Sequence, residues 1–70
     1  MELWINGNTE NIDELLADKS TVSDLLVSKG WRTEGIAVEL NGLVVPKRKH
    51  QEQLLQPGDK IEVVTLIGGG

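Results

Sequence analysis

Residues 36–45 read IAVELNGLVV, and this stretch decides the fold. Ile36, Val38 and Leu40 alternate with Ala37 and Glu39, the period of a strand with one face buried. Asn41-Gly42 comes next, a pair that tolerates positive φ and so predicts a two-residue hairpin turn. Leu43 to Val45 return as the partner strand. Pro46 ends it, because proline has no N–H to donate to a ladder.

The N-terminal side of this hairpin holds the helix. Thr21 to Lys29 carries Val22, Leu25 and Leu26 on one face at helical spacing. Thr21 with Asp24 three residues on resembles a capping box, although the usual third residue is Glu or Gln. Asp24 also sits in the first turn, where the helix dipole favours negative charge. Gly30 marks the stop, and Trp31 is expected to fold back onto Leu26, as core or helix cap. Earlier still, Leu3 and Ile5 alternate with Glu2 and Trp4 in a half-buried strand. Asn6-Gly7 turns it, and residues 9–12 (TENI) read as a short returning strand. Residues 13–19 read as a loop or a helical turn.

The C-terminal side starts with a polar connection, Lys47 to Leu55, holding one helical turn anchored by Leu54 and Leu55. Gln56-Pro57-Gly58-Asp59 fits a β-turn with Pro second and Gly third. Residues 60–66 (KIEVVTL) form the last strand. The order is strand, strand, helix, strand, strand, strand. One helix covers only one face of a sheet, so the fold class is two-layer α+β, with the first and last strands paired at the centre. Leu3, Ile5, Ile36, Val38, Leu40, Ile61 and Val63 then face the helix. Trp4, Ala37, Val64 and Leu66 face away, an apolar set for an open surface, which marks a candidate partner site. Trp4 is its best anchor, since Trp is enriched at interface hot spots. The plainer alternative lays Trp4 flat on the sheet under long side chains.

Composition limits function. Seventy residues make one domain with a thin core and little room for an enclosed site. With no cysteine and one histidine, thiol chemistry and a histidine-cysteine metal cluster are excluded. No twenty-residue apolar run is present, so no membrane span is expected. The first residues, MELWING, lack the basic and apolar regions of a secretory signal, so a cytoplasmic location is expected. The net charge of −4 disfavours nucleic acid as a partner. The basic run Pro46 to His50 reads as a solvated turn or as an electrostatic docking patch. No nucleophile elbow, P-loop or dinucleotide fingerprint occurs. Asp13 and Glu14 are adjacent and so do not face each other. His50 has no evident orienting neighbour and is expected at the surface.

The chain closes with TLIGGG, residues 65–70. Glycines at a terminus are either a frayed end or a working arm. Without Cβ atoms, Gly68, Gly69 and Gly70 fit a channel too narrow for side chains, and three extended residues reach roughly 10 Å. A terminal carboxyl group, with a pKa of about 3.5, is ionised at neutral pH and is a poor electrophile until a partner activates it.

Taken together, the segments LWING, TVSDLL, IAVELNGLVVP followed by Lys47, and LLQPGDKIEVVTLIGGG resemble the β-grasp sulfur carriers, a ubiquitin-like family. The likeness covers nearly the whole chain in order. It is closest to the thiamine-biosynthesis branch, because VVTLI before the glycines lacks the proline of molybdopterin-type carriers; the third glycine, Gly68, is a departure and reads as spacer. The resemblance implies a β-grasp domain over 1–67, a mixed sheet of four to five strands packed on one main helix, with a flexible tail at 68–70. It implies a carrier, not an enzyme. A ubiquitin-activating-like partner adenylates the carboxylate of Gly70 and a sulfur donor, fed by a cysteine desulfurase or similar enzyme, converts it to a thiocarboxylate. Thiazole synthase then takes the sulfur. ATP and zinc would belong to the partner, and this chain would bind no cofactor or metal. Gly68, Gly69 and Gly70 would enter the partner's site; Trp4, Val64, Leu66 and Lys47 are the docking candidates; the free chain is expected to be a monomer. Three alternatives remain open at this point: a sulfur carrier of another pathway such as the molybdopterin type, a ubiquitin-like modifier of lysines, or a plain binding module.

Overall fold

Two Asn-Gly turns set the sheet. In the computed structural model, which describes residues 1–66, Asn6 and Asn41 have φ of 50° and 52°, and Gly7 and Gly42 have 86° and 87°. Positive φ at both central positions gives a turn whose twist matches that of the flanking strands. The first turn joins β1 (Glu2–Ile5) to β2 (Asn8–Asn11) and the second joins β3 (Ile36–Leu40) to β4 (Leu43–Val45). Strand β5 (Lys60–Thr65) lies between the two hairpins, parallel to β1 and antiparallel to β3. The strand order is β2-β1-β5-β3-β4, so the first and last strands pair at the centre as expected. The expected tail, Gly68 to Gly70, and Ile67 before it lie outside the described residues.

The turn asparagines also hold β5. Asn6 Oδ1 accepts the Val63 N–H at 2.8 Å, and Asn41 Oδ1 accepts that of Lys60 at 2.9 Å. One side chain from each hairpin thus fixes the register of the strand that leads toward the C-terminal glycines. The turn before β5 forms as read: the Asp59 N–H donates to the Gln56 carbonyl at 3.1 Å, with Gly58 at φ 87°.

Helix α1 (Val22–Lys29) crosses one face and buries Val22, Leu25 and Leu26. They meet Leu3, Ile5, Val38 and Ile61, which the alternation assigned to the inner face, together with Ile12, Leu15, Val45 and Leu55. Ile36, Leu40 and Val63 are partly buried against this core. The helix start is a complete capping box, because Thr21 Oγ1 accepts the Asp24 N–H and an Asp24 carboxylate oxygen accepts the Thr21 N–H at 2.9 Å. Asp therefore suffices where Glu or Gln is usual. Thr21→Ala is expected to lower stability by about 1 kcal/mol in urea titration, and an unchanged midpoint would show that the cap contributes nothing. Gly30 takes the left-handed conformation that ends the helix. Trp31 donates its backbone N–H to the Leu26 carbonyl at 2.9 Å and packs half-buried against the core, as expected.

Two readings of the polar connection are corrected. His50 is not at the surface: it is 4% exposed. The run Lys47–Lys49 closes into one 3-10 turn, with all three basic side chains outside, and the chain re-enters at its end. His50 then sits under the start of α1, its carbonyl accepting the Ser23 N–H at 2.9 Å and its Nε2 lying 3.1 Å from the Val45 carbonyl oxygen. Leu54 and Leu55 do not anchor together. The backbone there is extended, bridging Thr21, so neighbouring side chains point opposite ways: Leu55 is fully buried and Leu54 is exposed.

Candidate functional site

The register between strands fixes which side chains share the face opposite the helix. Trp4 pairs with Lys60, Ala37 with Val64, and Glu39 with both Glu62 and Val44. All of these point away from the core residues that alternate with them. Trp4, Val44, Val64 and Leu66 are exposed large apolar side chains. The expected open apolar face therefore exists, and Trp4, Val64 and Leu66 lie on it. Trp4 is 43% exposed, with the Lys60 ammonium 6.0 Å from its ring centre, so it is partly covered by one long side chain but not lost to the core. Val44 was missed by the sequence reading. The signal was present, because in LVV the middle residue must face away when Val45 faces inward.

This face continues toward the tail. Leu66 follows directly on β5, and its backbone N–H donates to the Gly35 carbonyl at 2.7 Å. Val64 and Leu66 thus stand within a few residues of Gly68 in the chain. The role expected of those three glycines falls on residues outside the described ones.

Lys47 is placed differently from the other docking candidates. It lines a depression of about 560 Å³ beside α1, together with Ser23, Thr33, Arg48, His50 and Gln51. Its ammonium is 3.5 Å from the Glu34 carboxylate, an exposed pair of little energetic weight. The Glu34 carboxyl is held below the usual carboxylate range, first by the Thr33 hydroxyl that donates to it at 2.6 Å and then by Lys47. The depression contains His50 but no carboxylate to orient the imidazole, so it offers no acid/base pair. Among the described residues, no three His, Cys, Asp or Glu side chains converge as metal ligands, and no helix is long and apolar enough to cross a membrane.

Comparison with known proteins agrees with this architecture. The model described as "ThiS family" matches residues 3–70. The sulfur carrier protein ThiS of Thermus thermophilus is 34% identical, with 97% of this chain and 98% of the relative covered. A thiazole synthase of Paramagnetospirillum magneticum is 39% identical over the whole chain, which spans only 20% of that relative's length. The crystal structure of a thiamine biosynthesis protein (ThiS) from Geobacter metallireducens superposes with a TM-score of 0.83 at 32% identity, covering 100% of both chains. The five-stranded mixed sheet covered by α1 is thus the β-grasp arrangement.

Proposed function

Because this chain belongs to the ThiS family, we propose that it is a sulfur carrier of thiamine biosynthesis whose working group is the carboxylate of Gly70. The observation that carries the reading is that the family match runs from residue 3 through Gly70, so the glycines belong to what is shared. The names of its relatives favour the thiamine branch over the molybdopterin branch. Thiazole synthase is favoured as the sulfur-accepting partner, since a relative of that name contains a segment similar to this chain within a longer polypeptide.

The chemistry follows from the carboxylate. Its carbonyl carbon resists nucleophiles while the oxygens carry the negative charge. A partner enzyme joins the carboxylate to the α-phosphate of ATP, releasing pyrophosphate and making an acyl-adenylate. A sulfide-level nucleophile then attacks that carbonyl. The C–S bond forms, the C–O bond to AMP breaks, AMP leaves, and Gly70 ends as a thiocarboxylate. The thiocarboxylate sulfur is the nucleophile that thiazole synthase uses. In this scheme the chain supplies reach and a docking surface, and the partners supply ATP binding, any metal, and catalysis. Gly68, Gly69 and Gly70 present no Cβ to a narrow channel.

Intact-mass measurement tests the scheme. The chain is incubated with ATP, the host's adenylating enzyme and a sulfide source, then digested. A species with one sulfur in place of one oxygen is expected, confined to the peptide ending in Gly70. The same spectrum reports whether Gly70 carries a free carboxylate, which the scheme requires. A chain that stays unmodified while the enzyme adenylates a known carrier would sink the proposal.

A further inference from the structure

Glu39 and Glu62 stand directly opposite each other on the open face, as partners in the β3–β5 ladder. Like charges in that position oppose strand pairing. Among the described residues, neither carboxylate has an ion-pair or hydrogen-bond partner. The nearby cation, Lys60, is directed at the Trp4 ring. On one side of the pair the face is apolar. Val44 flanks Glu39 across β4, and Ala37 and Val64 form the next row. On the other side, a depression of about 260 Å³ is lined by Trp4, Gly7, Lys60, Ile61 and Glu62.

We propose that the Glu39–Glu62 pair is a receptor for an arginine of thiazole synthase, sited beside an apolar patch, and that it fixes the orientation in which the tail is presented. This rests on the carrier reading above. The chemistry selects the residue on the partner. A guanidinium is planar and has five N–H donors, so one group can bridge two facing carboxylates, whereas an ammonium is a point charge. An apolar rim from Trp4, Val44 and Val64 excludes water and strengthens the contact. The repulsion within the free carrier is relieved when the cation arrives, so the pair opposes stability alone and favours the complex. Thiazole synthase is the occupant because a relative of that name carries a segment like this chain within its own polypeptide.

The test measures affinity and stability on the same variants. Glu39→Gln and Glu62→Gln are each expected to weaken binding to the host's thiazole synthase by about tenfold or more. Their melting temperatures are expected to stay level or rise, and the affinity of the variants is expected to lose much of its salt dependence. Glu2→Gln, an exposed acid on the same face outside the pair, serves as control and should bind as the parent does. A receptor whose removal weakens binding while leaving the fold level or firmer cannot be explained by a structural role. Unchanged affinity in both Gln variants overturns the docking proposal while the carrier reading stands. Loss of binding to the adenylating enzyme alone, with thiazole synthase unaffected, overturns the choice of occupant. If the parent chain binds neither enzyme, the carrier reading falls and the receptor falls with it.

Discussion

Deleting Gly69 and Gly70 is expected to leave a chain that melts with the parent and gains no sulfur. The packed core draws on residues from Leu3 to Ile61, and β5 ends at Thr65. Nothing that holds the described fold together is removed. The deletion does not abolish a terminal carboxylate, because Gly68 then supplies one. It withdraws that carboxylate by roughly 7 Å, the span of two extended residues. Reacting atoms must approach to about 3–3.5 Å, so under the proposed scheme a shortfall of that size would take the carbonyl out of reach of a partner's fixed ATP site. The expected loss is complete within the sensitivity of intact-mass analysis, while thermal melting is unchanged. Two results would count against the argument. A truncated chain still converted to a thiocarboxylate would show that reach does not matter. A large fall in melting temperature would show that the glycines serve the fold.

The sequence made the sheet legible because its signals were local. Asn41-Gly42 and Asn6-Gly7 announced both turns, and strict alternation in residues 36–40 and 2–5 assigned each side chain to a face. Once the faces were assigned, the position of Trp4, Val64 and Leu66 followed without any tertiary information. His50 was misread because its neighbours are basic and the run looked uniformly solvated. What buries it is a single 3-10 turn and the contact with the start of α1, and neither leaves a periodic trace. Leu54 and Leu55 failed for the same reason, since two adjacent leucines do not say which one faces inward. The Glu39–Glu62 pairing was also invisible, because it depends on a register between strands separated by a long connection. The role of the glycine tail came from resemblance and chemistry, and the described residues stop short of it.

Leu25→Ala is expected to remove a large share of the stability of the fold. Leu25 is fully buried on the inner face of α1, among the described residues the one α-helix, which covers the sheet. Truncating a buried leucine to alanine costs about 2–5 kcal/mol, from lost transfer energy and the cavity that remains. A domain of this length has in all only about 4–10 kcal/mol to lose. Alanine is the best helix former, so the substitution does not weaken α1 itself and the loss isolates packing. Each kcal/mol corresponds to about 4–8 °C in melting temperature for a domain of this size. Val27→Ala on the same helix provides the contrast: Val27 is 76% exposed, and its truncation is expected to change stability by no more than about 0.5 kcal/mol. Urea and thermal unfolding of the two variants decide the matter. If they were equally stable, the inner face of α1 would not be the anchor of the sheet. On the proposed carrier reading, that anchor serves function as well as fold. The helix holds one face of the sheet closed, and the other face is thereby left free, with β5 paired between β1 and β3 beneath Val64. Leu25→Ala should accordingly weaken partner binding only to the extent that it unfolds the chain, and recover it fully at temperatures where the variant is folded.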